Sequence, residues 1–428
     1  MRVLYIGDNR DRHNWGCRAT SAALSEMVGE ENIIVGRISG RLTLSQNFVY
    51  IPLGNGGVNR LIYESAGMNN FAKKVISKCP DSIKKKCDFL SEDFEKSIRL
   101  IKKYSQFNSE YREINLDAYQ YDAIVINGEG TMIMTSPCRR DTLYYLLFVY
   151  WAKKRKKKVF FVNAMFSDCP ATGRNENIVL LIREILSKCN VLTVRDPVSY
   201  GYAKEVIGLE KCKYIPDALF SWSKYYHEKN RIRNISDILP FGFESDKGLA
   251  SLDMVSHEYI CVSGSSAAAW NQSEATERYT ELVKALKKKL HCAIYIVSTC
   301  SGDAFLEEVA RKTNTIFVPV QIPIVAGLNL LAHARLFVSG RYHPSIMASL
   351  GGTPCIFLGA NSHKNMGLQE MLEYDIRKEY HACPTEDDIG EICREAAILM
   401  NDVELRKKIR EVSAKRTIEA RQVIEYIK

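Results

Sequence analysis

Short apolar runs alternate with amphipathic stretches along most of the chain, and this alternation is what most limits the fold. A brief apolar run between turn residues reads as a buried strand, and a longer stretch with a period near 3.6 reads as a helix. Repeated strand–helix units build parallel sheets. In the first half the expected strands are "RVLYIG", "NIIVGRI", "YDAIVING", "KVFFVNAM", "VLTVRD" and a brief "KYIPD". The expected helices are "WGCRATSAALSEMV", "RDTLYYLLFVYWAKK" and "DPVSYGYAKEVIG". In the last of these Asp196 is placed to cap, Pro197 suits the first helical position and Gly208 is a stop signal. A second series, "YICVSG", "CAIYIVS", "TIFVPV", "LFVSG" and "PCIFLG", has helices between its strands and a charged helical end from about 386 to 428.

The expectation is two open α/β domains facing each other across a cleft, with ligands at the carboxyl ends of the strands. The first domain covers 1–223 and the second 257–428, joined by a polar connection over 224–256. About 40–115 interrupts the first domain as an insertion with two or three helices and a Gly-rich turn, "LGNGGVN". A length of 428 residues suits two domains that each bury a core.

The longest apolar run, Leu143 to Ala152, has ten residues, half of what a membrane-spanning helix needs (roughly 20), so it reads as a buried helix. The N-terminal "RVLYIG" is too short for a signal peptide. Thirteen Cys, none in a CxxC pair, point to reduced thiols in a cytoplasmic protein and to no metal site. No bound cofactor is expected. The formal charge of +9 suggests anionic partners. "KKRKKK", Lys153 to Lys158, is read as the solvated end of a helix or as a peripheral contact with the inner face of the cell membrane. No aromatic residues interleave it at a stacking spacing, so nucleic acid is not an expected partner.

The chemistry is expected where strands end. In "LFVSGRYHPSIMASLGG" Gly340 ends a strand and Pro344 suits the first helical turn, so Arg341 and His343 sit at a helix N-terminus. Such a point favours anions, an Arg adds a fork matched to carboxylate or phosphate, and a His moves protons near neutral pH. "VLTVRDPVSYG" repeats the arrangement with Arg195, either a structural partner of Asp196 or Asp217 or a second cation facing the cleft. "IVINGEGTMI" places Asn127 to Thr131 at a further strand end, with Glu129 either a general base or a loop-stabilising carboxylate. In "YIGDNRDRHNWG" Asp8, His13 and Asn14 face the cleft or cap the helix. "ICVSGSSAAAW" offers Ser263 to Ser266 in a turn suited to phosphate, and "LGANSHKNMG" offers Lys364 at the head of another helix. There is no DxD pair for a sugar-phosphate-bound metal.

Taken in order, "YIGDNRDRHNWGCRATSAAL", "YDAIVINGEGTM", "LTVRDPVSYGYAKEVIG", "IPDALF" and "RYHPSIMASLGGTPCIFLGANSHKNMG" resemble the polysaccharide pyruvyltransferase family. The last block is the most specific, since it sets Arg, His, Gly-Pro spacing and Lys in a fixed order. The resemblance implies two Rossmann-like domains in a glycosyltransferase-B-like arrangement, acceptor on the first and donor on the second. It implies transfer of a pyruvyl group from phosphoenolpyruvate onto two hydroxyls of a sugar in a cell-surface glycan or its lipid-linked precursor, forming a ketal. Arg195 and Arg341 would bind the donor's carboxylate and phosphate, His343 would carry the proton, and Lys364 would support as a cation. One departure stands out: the family's Gly-rich run is "NGEGT" here, with Glu129 in place of a glycine. For binding, Asn14, Asn127, Ser263 and Ser265 complete the expected set, beside His343 and Glu129 as the catalytic pair.

A second reading on the same two-domain plan is a metal-independent nucleotide-sugar glycosyltransferase, with phosphate at the His343 helix and Glu129 as the base. A scaffold protein would have no need for cations converging on a cleft.

Overall fold

The computed structural model describes residues 1–42, 88–106, 108–230, 232 and 258–428. The Gly-rich turn "LGNGGVN" and most of the 224–256 connection lie outside the described residues. The first half is a parallel sheet with strands β1 (Arg2–Asp8), β2 (Ile33–Ser39), β3 (Ala123–Met134), β4 (Lys158–Asp168), β5 (Val191–Val194) and β6 (Lys213–Tyr214), in the order β2-β1-β3-β4-β5-β6. Helix α1 (Trp15–Glu31) follows β1, α2 (Phe94–Tyr104) precedes β3, α3 (Arg140–Lys154) follows β3, α4 (Glu176–Leu186) follows β4 and α5 (Pro197–Tyr202) follows β5. The second sheet is also parallel: β7 (Tyr259–Ser265), β8 (Ala293–Val297), β9 (Ile316–Val318), β10 (Phe337–Gly340) and β11 (Cys355–Phe357), in the order β11-β10-β7-β8-β9. Its helices are α6 (Gln272–Leu290), α7 (Phe305–Thr313), α8 (Ile324–Ala332), α9 (Tyr342–Leu350), α10 (Lys364–Met371), α11 (Glu386–Leu399) and α12 (Val403–Arg421). Each sheet reverses its strand order once, at β1/β3 and at β7/β10, and open α/β sheets bind ligands at such points.

Local chemistry accounts for these starts and stops. Asn14 caps α1 by accepting from the Cys17 N–H, and Asp196 caps α5 with Pro197 behind it. Gly208, at φ +77, closes the turn that continues α5. The aromatic run of α3 is buried nearly all round, as a helix wedged between layers must be. Its basic end is tied to the protein: Lys154 pairs with Glu95 at 2.6 Å and Arg155 with Asp117 at 3.0 Å. Among the described residues no helix is long and apolar enough to cross a membrane.

The halves share one apolar core. Trp15 and Ala19 of α1 pack with Leu328 of α8 and Ile346 of α9, and with Phe220, Trp222 and Ile424. Trp15 Nε1 donates to the Val320 carbonyl at 2.8 Å, and Gly327 admits the indole, since a Cβ there would lie 2.8 Å from the ring. The C-terminal helix returns to the first half, where Thr417 Oγ1 donates to the Phe220 carbonyl and Arg421 pairs with Glu30 at 2.5 Å. A short bridge, Asn14 to Cys300, joins the two β–α turns themselves. An interface this apolar fixes how the two strand-end rims face each other.

Two strands depart from the expected pattern. β3 does not stop before the "NGEGT" run but carries it inside a twelve-residue strand, with a register shift between Glu129 and Met132. β4 shifts register between Phe161 and Ala164 on its β5 side. Both irregularities hold a non-glycine residue in left-handed backbone, Glu129 at φ +39 and Asn163 at φ +57. Bulges of this kind re-aim side chains beside active sites.

Candidate active site

The cavity between the rims measures about 270 Å³ and takes its wall from both halves. Arg12, Arg139 and Arg195 come from the first half, and Arg341, His343 and Lys364 from the second. Glu129 and Asp141 are the carboxylates on the wall, and Asn14 and Ser266 line it too.

His343 sits in the first turn of α9. Its Nε2 lies 3.2 Å from Asp217 Oδ2 and 3.1 Å from Arg195 Nη1, and the same Nη1 lies 3.2 Å from Oδ2. Asp217 is fully buried and also accepts, on Oδ1, from Thr20 Oγ1 and the Leu219 N–H. Burial alone would push its carboxyl up; His343, Arg195 and the Leu219 N–H outweigh that and hold it at about 2. Arg195 pairs with Asp217, stacks 4.5 Å over the Tyr342 ring, and still lines the cavity.

Arg341 rests on Asp303, with Nη2 at 2.5 Å and Nε at 3.2 Å from Oδ1. Asp303 is itself held by the Thr299 N–H and hydroxyl. Lys364, half-buried on the cavity wall, donates to Ser266 Oγ at 3.0 Å and Asn361 Oδ1 at 2.7 Å. Burial, then Arg341 and Arg195, bring its amine down to about 7.

Glu129 is fixed by three donors, all on Oε1: Asn9 Nδ2 at 2.8 Å, Ser21 Oγ at 3.1 Å and Asn127 Nδ2 at 3.1 Å. Asn127 is fully buried and does not line the cavity; its Oδ1 accepts from Asn163, whose amide also donates to Thr20. A buried polar chain thus runs from Glu129 through Asn127, Asn163 and Thr20 to Asp217 and His343. Ser263 and Ser265 are buried as well. Ser263 faces the Thr299 hydroxyl and Ser265 donates to the Gly359 carbonyl, so Ser266 is the member of that turn on the wall. Asp8 pairs with Arg10, and the His13 carbonyl accepts from the Ser301 N–H.

Sequence reasoning missed Arg12 and Arg139. Arg12 Nη2 donates to the Gly40 carbonyl, and Arg139 spans the Gly130 carbonyl and Asp141. Arg12 lies inside the quoted "DNRDRHNWG" turn; Arg139 stands just before α3, a helix start that carried the signal. Among the described residues no cluster of His, Cys, Asp or Glu is arranged to hold a metal ion.

Two parallel sheets facing across a basic cleft define a glycosyltransferase-B-like α/β protein. Solved structures agree on the fold. TcCGT1 in complex with UDP superposes with a TM-score of 0.53 at 12% identity, over 100% of this chain and 99% of that one. The UDP-GlcNAc 2-epimerase of Neisseria meningitidis bound to UDP-GlcNAc gives 0.52 at 12%, over 96% and 97%. MnaA of S. aureus with UDP gives 0.51 at 12%, over 96% and 91%. Identities this low speak for the fold alone. No curated protein matches the chain in sequence. Residues 59–362 match the family model "Polysaccharide pyruvyl transferase", and the chain belongs to that enzyme family.

Proposed function

We propose that the protein transfers the pyruvyl group of phosphoenolpyruvate onto two hydroxyls of a saccharide, forming a ketal, in the cavity between its halves. One observation carries this reading: Arg12, Arg139, Arg195, Arg341, Lys364 and His343 converge on a single small cavity. The donor bears a carboxylate and a phosphate, and arginine forks are matched to both.

Arg341 and Lys364 hold the donor anion from the second half, and Arg195 supports it from the first. His343 protonates the donor methylene carbon. The first hydroxyl oxygen bonds to the neighbouring carbon, the bond to phosphate breaks, and the second hydroxyl closes the ketal. One hydroxyl proton ends on the new methyl group and the other on the released phosphate. The guanidinium groups match the charge that builds on the leaving phosphate. Glu129 accepts an acceptor proton from the first-half wall.

The test is thermal denaturation with phosphoenolpyruvate against UDP, GDP and CMP sugars. A ligand at about 100 times its Kd stabilises by roughly 2.7 kcal/mol. Phosphoenolpyruvate is expected to raise Tm by a few degrees. A response to a nucleotide sugar with none to phosphoenolpyruvate would assign the site to glycosyl transfer instead.

A further inference from the structure

The two partners of His343 Nε2 ask for opposite tautomers. Arg195 can only donate, so a bond to Nε2 requires a lone pair there and the proton on Nδ1. An ionised Asp217 can only accept, so its bond requires Nε2–H. Arg195 Nη1 has Asp217 Oδ2 within reach at 3.2 Å whichever tautomer is present. A lone pair on Nε2 would instead face the carboxylate oxygen 3.2 Å away, inside a site where Asp217 has no exposure to water. The N–H to carboxylate bond is the charge-assisted one, roughly twice as strong as a neutral bond.

Nδ1 is the ring nitrogen that the described residues leave without a hydrogen-bond partner. Among the described residues no hydrogen bond ends on it, and both His343 and Gly16 line the cavity. A Cβ on Gly16 would sit 2.4 Å from Nδ1, so only a glycine fits beside this edge of the ring.

We propose that Asp217 is a positioning residue that keeps a proton on His343 Nε2 and so makes Nδ1 the nitrogen that exchanges protons with the reacting groups in the cavity. The identity of those groups rests on the pyruvyl-transfer reading. On that reading the Nδ1–H bond breaks as a C–H bond forms at the donor methylene, leaving a neutral ring with Nε2–H on Asp217. Nδ1 later takes a hydroxyl proton, and the imidazolium that forms is stabilised by the same carboxylate. Asp217 stays ionised and takes no proton itself, held low against burial by His343 and Arg195. The charged and titratable groups against the ring are Arg195 from the end of β5, Asp217 after β6 and Tyr342 beside it on α9; Cys17 on α1, Glu129 on β3, Arg12, Arg139, Asp141, Arg341 and Lys364 on α10 share the cavity wall with it.

Long-range 1H–15N correlation of the histidine-labelled full chain reads the tautomer directly. In the wild type, with the ring neutral, Nε2 is expected to carry the proton and Nδ1 the lone pair. In Asp217→Asn the carbonyl stays where Oδ1 receives Thr20 and Leu219, so the amide NH2 faces Nε2 and the proton moves to Nδ1. Its kcat is expected to fall by roughly 10²–10⁴-fold with the donor KM little changed. A wild-type ring with the proton on Nδ1, or an Asp217→Asn variant that keeps Nε2–H, overturns the proposal; the wild-type spectrum suffices if that variant does not fold. If phosphoenolpyruvate leaves Tm unmoved while the wild type has Nε2–H, the donor reading fails and the Asp217–His343 arrangement stands.

Discussion

Arg341 gives Nε and Nη2 to a single oxygen of Asp303, while His343, two residues on, sets Nε2 3.2 Å from Asp217 of the other half. The two side chains share a helix start but answer to different partners, and their roles separate accordingly. Arg341→Ala removes a charge-assisted contact worth roughly 1.5–3 kcal/mol, so the donor KM is expected to rise about 10- to 150-fold. It also leaves Asp303 buried without its cation, which costs roughly 3–5 kcal/mol and should show as a lower Tm. His343→Gln is expected to lower kcat by roughly 10²–10⁴-fold with a smaller change in KM. Steady-state kinetics on both variants, after a check of folding, decide the point. Near-normal kcat in His343→Gln would make the imidazole structural.

Glu129 stands in left-handed backbone, a conformation that favours glycine, and the balance of its removal can be argued from magnitudes. Glu129→Gly relieves strain of about 1–2 kcal/mol. It also removes three charge-assisted bonds: Asn9 Nδ2 loses its acceptor, and Ser21 and Asn127, which keep the Gly7 carbonyl and Ser21 Oγ, each lose one of two, at roughly 1–3 kcal/mol per bond to the buried charge. Loss of acceptors wins, so Glu129→Gly should melt below the wild type. Glu129→Gln keeps an oxygen acceptor but not the charge, so turnover should fall while the phosphoenolpyruvate shift in Tm persists. Unchanged turnover in a folded Glu129→Gln variant would assign the carboxylate to strand structure.

The strands and most of their order of appearance were legible in the sequence because buried parallel strands read as nearly continuous apolar runs. The helix starts at Arg140 and Pro197 were legible for the same kind of reason, a change of period or a cap–Pro pair. Arg341, His343 and Lys364 could be read because each follows a strand end in a short span. Other parts depended on contacts between distant segments. That β3 runs through Glu129 reflects its pairing with Ala164 and Phe166 of β4, which no local pattern reveals. Whether a serine in "SGSS" faces the cavity or the Gly359 carbonyl is a matter of one residue's rotation in the turn. Arg12 and Arg139 become site residues only when the two rims are brought together.

Gly16 offers a test at a position that carries no functional group. A Cβ there would meet Nδ1, Cβ and Cγ of His343 within 2.9 Å, so Gly16→Ala must push the ring. As the second residue of α1, an alanine gains helix propensity of up to about 1 kcal/mol. The expected outcome is a fall in kcat of at least tenfold and a lower Tm, because overpacking against His343 Cβ costs about 1–3 kcal/mol. A Gly16→Ala enzyme with wild-type kcat would show that the ring can move without losing its chemistry.

Lys364 sets the last expectation, a pH dependence of donor binding. Burial first, and the nearby Arg341 and Arg195 next, lower its amine to about 7, so in the free protein it loses its charge as pH rises through neutrality. An anionic donor beside the amine favours the charged form, so binding draws in a proton and weakens as pH rises. For one linked proton the affinity falls by up to about tenfold per pH unit above about 7. Lys364→Met should bind more weakly at neutral pH and lose the slope. For stability the sign is opposite to that of a paired lysine. The folded state binds the proton less well than the unfolded chain, so the charged amine costs stability in full below about 7 and the cost disappears as pH rises toward 10.5. The Tm of the wild type relative to Lys364→Met should therefore improve across that window. Calorimetric titration with phosphoenolpyruvate from about pH 7 to about pH 9, in buffers of different ionisation enthalpy, measures both affinity and proton uptake. Equal affinity at both ends with no proton uptake would mean that Lys364 does not contact the donor.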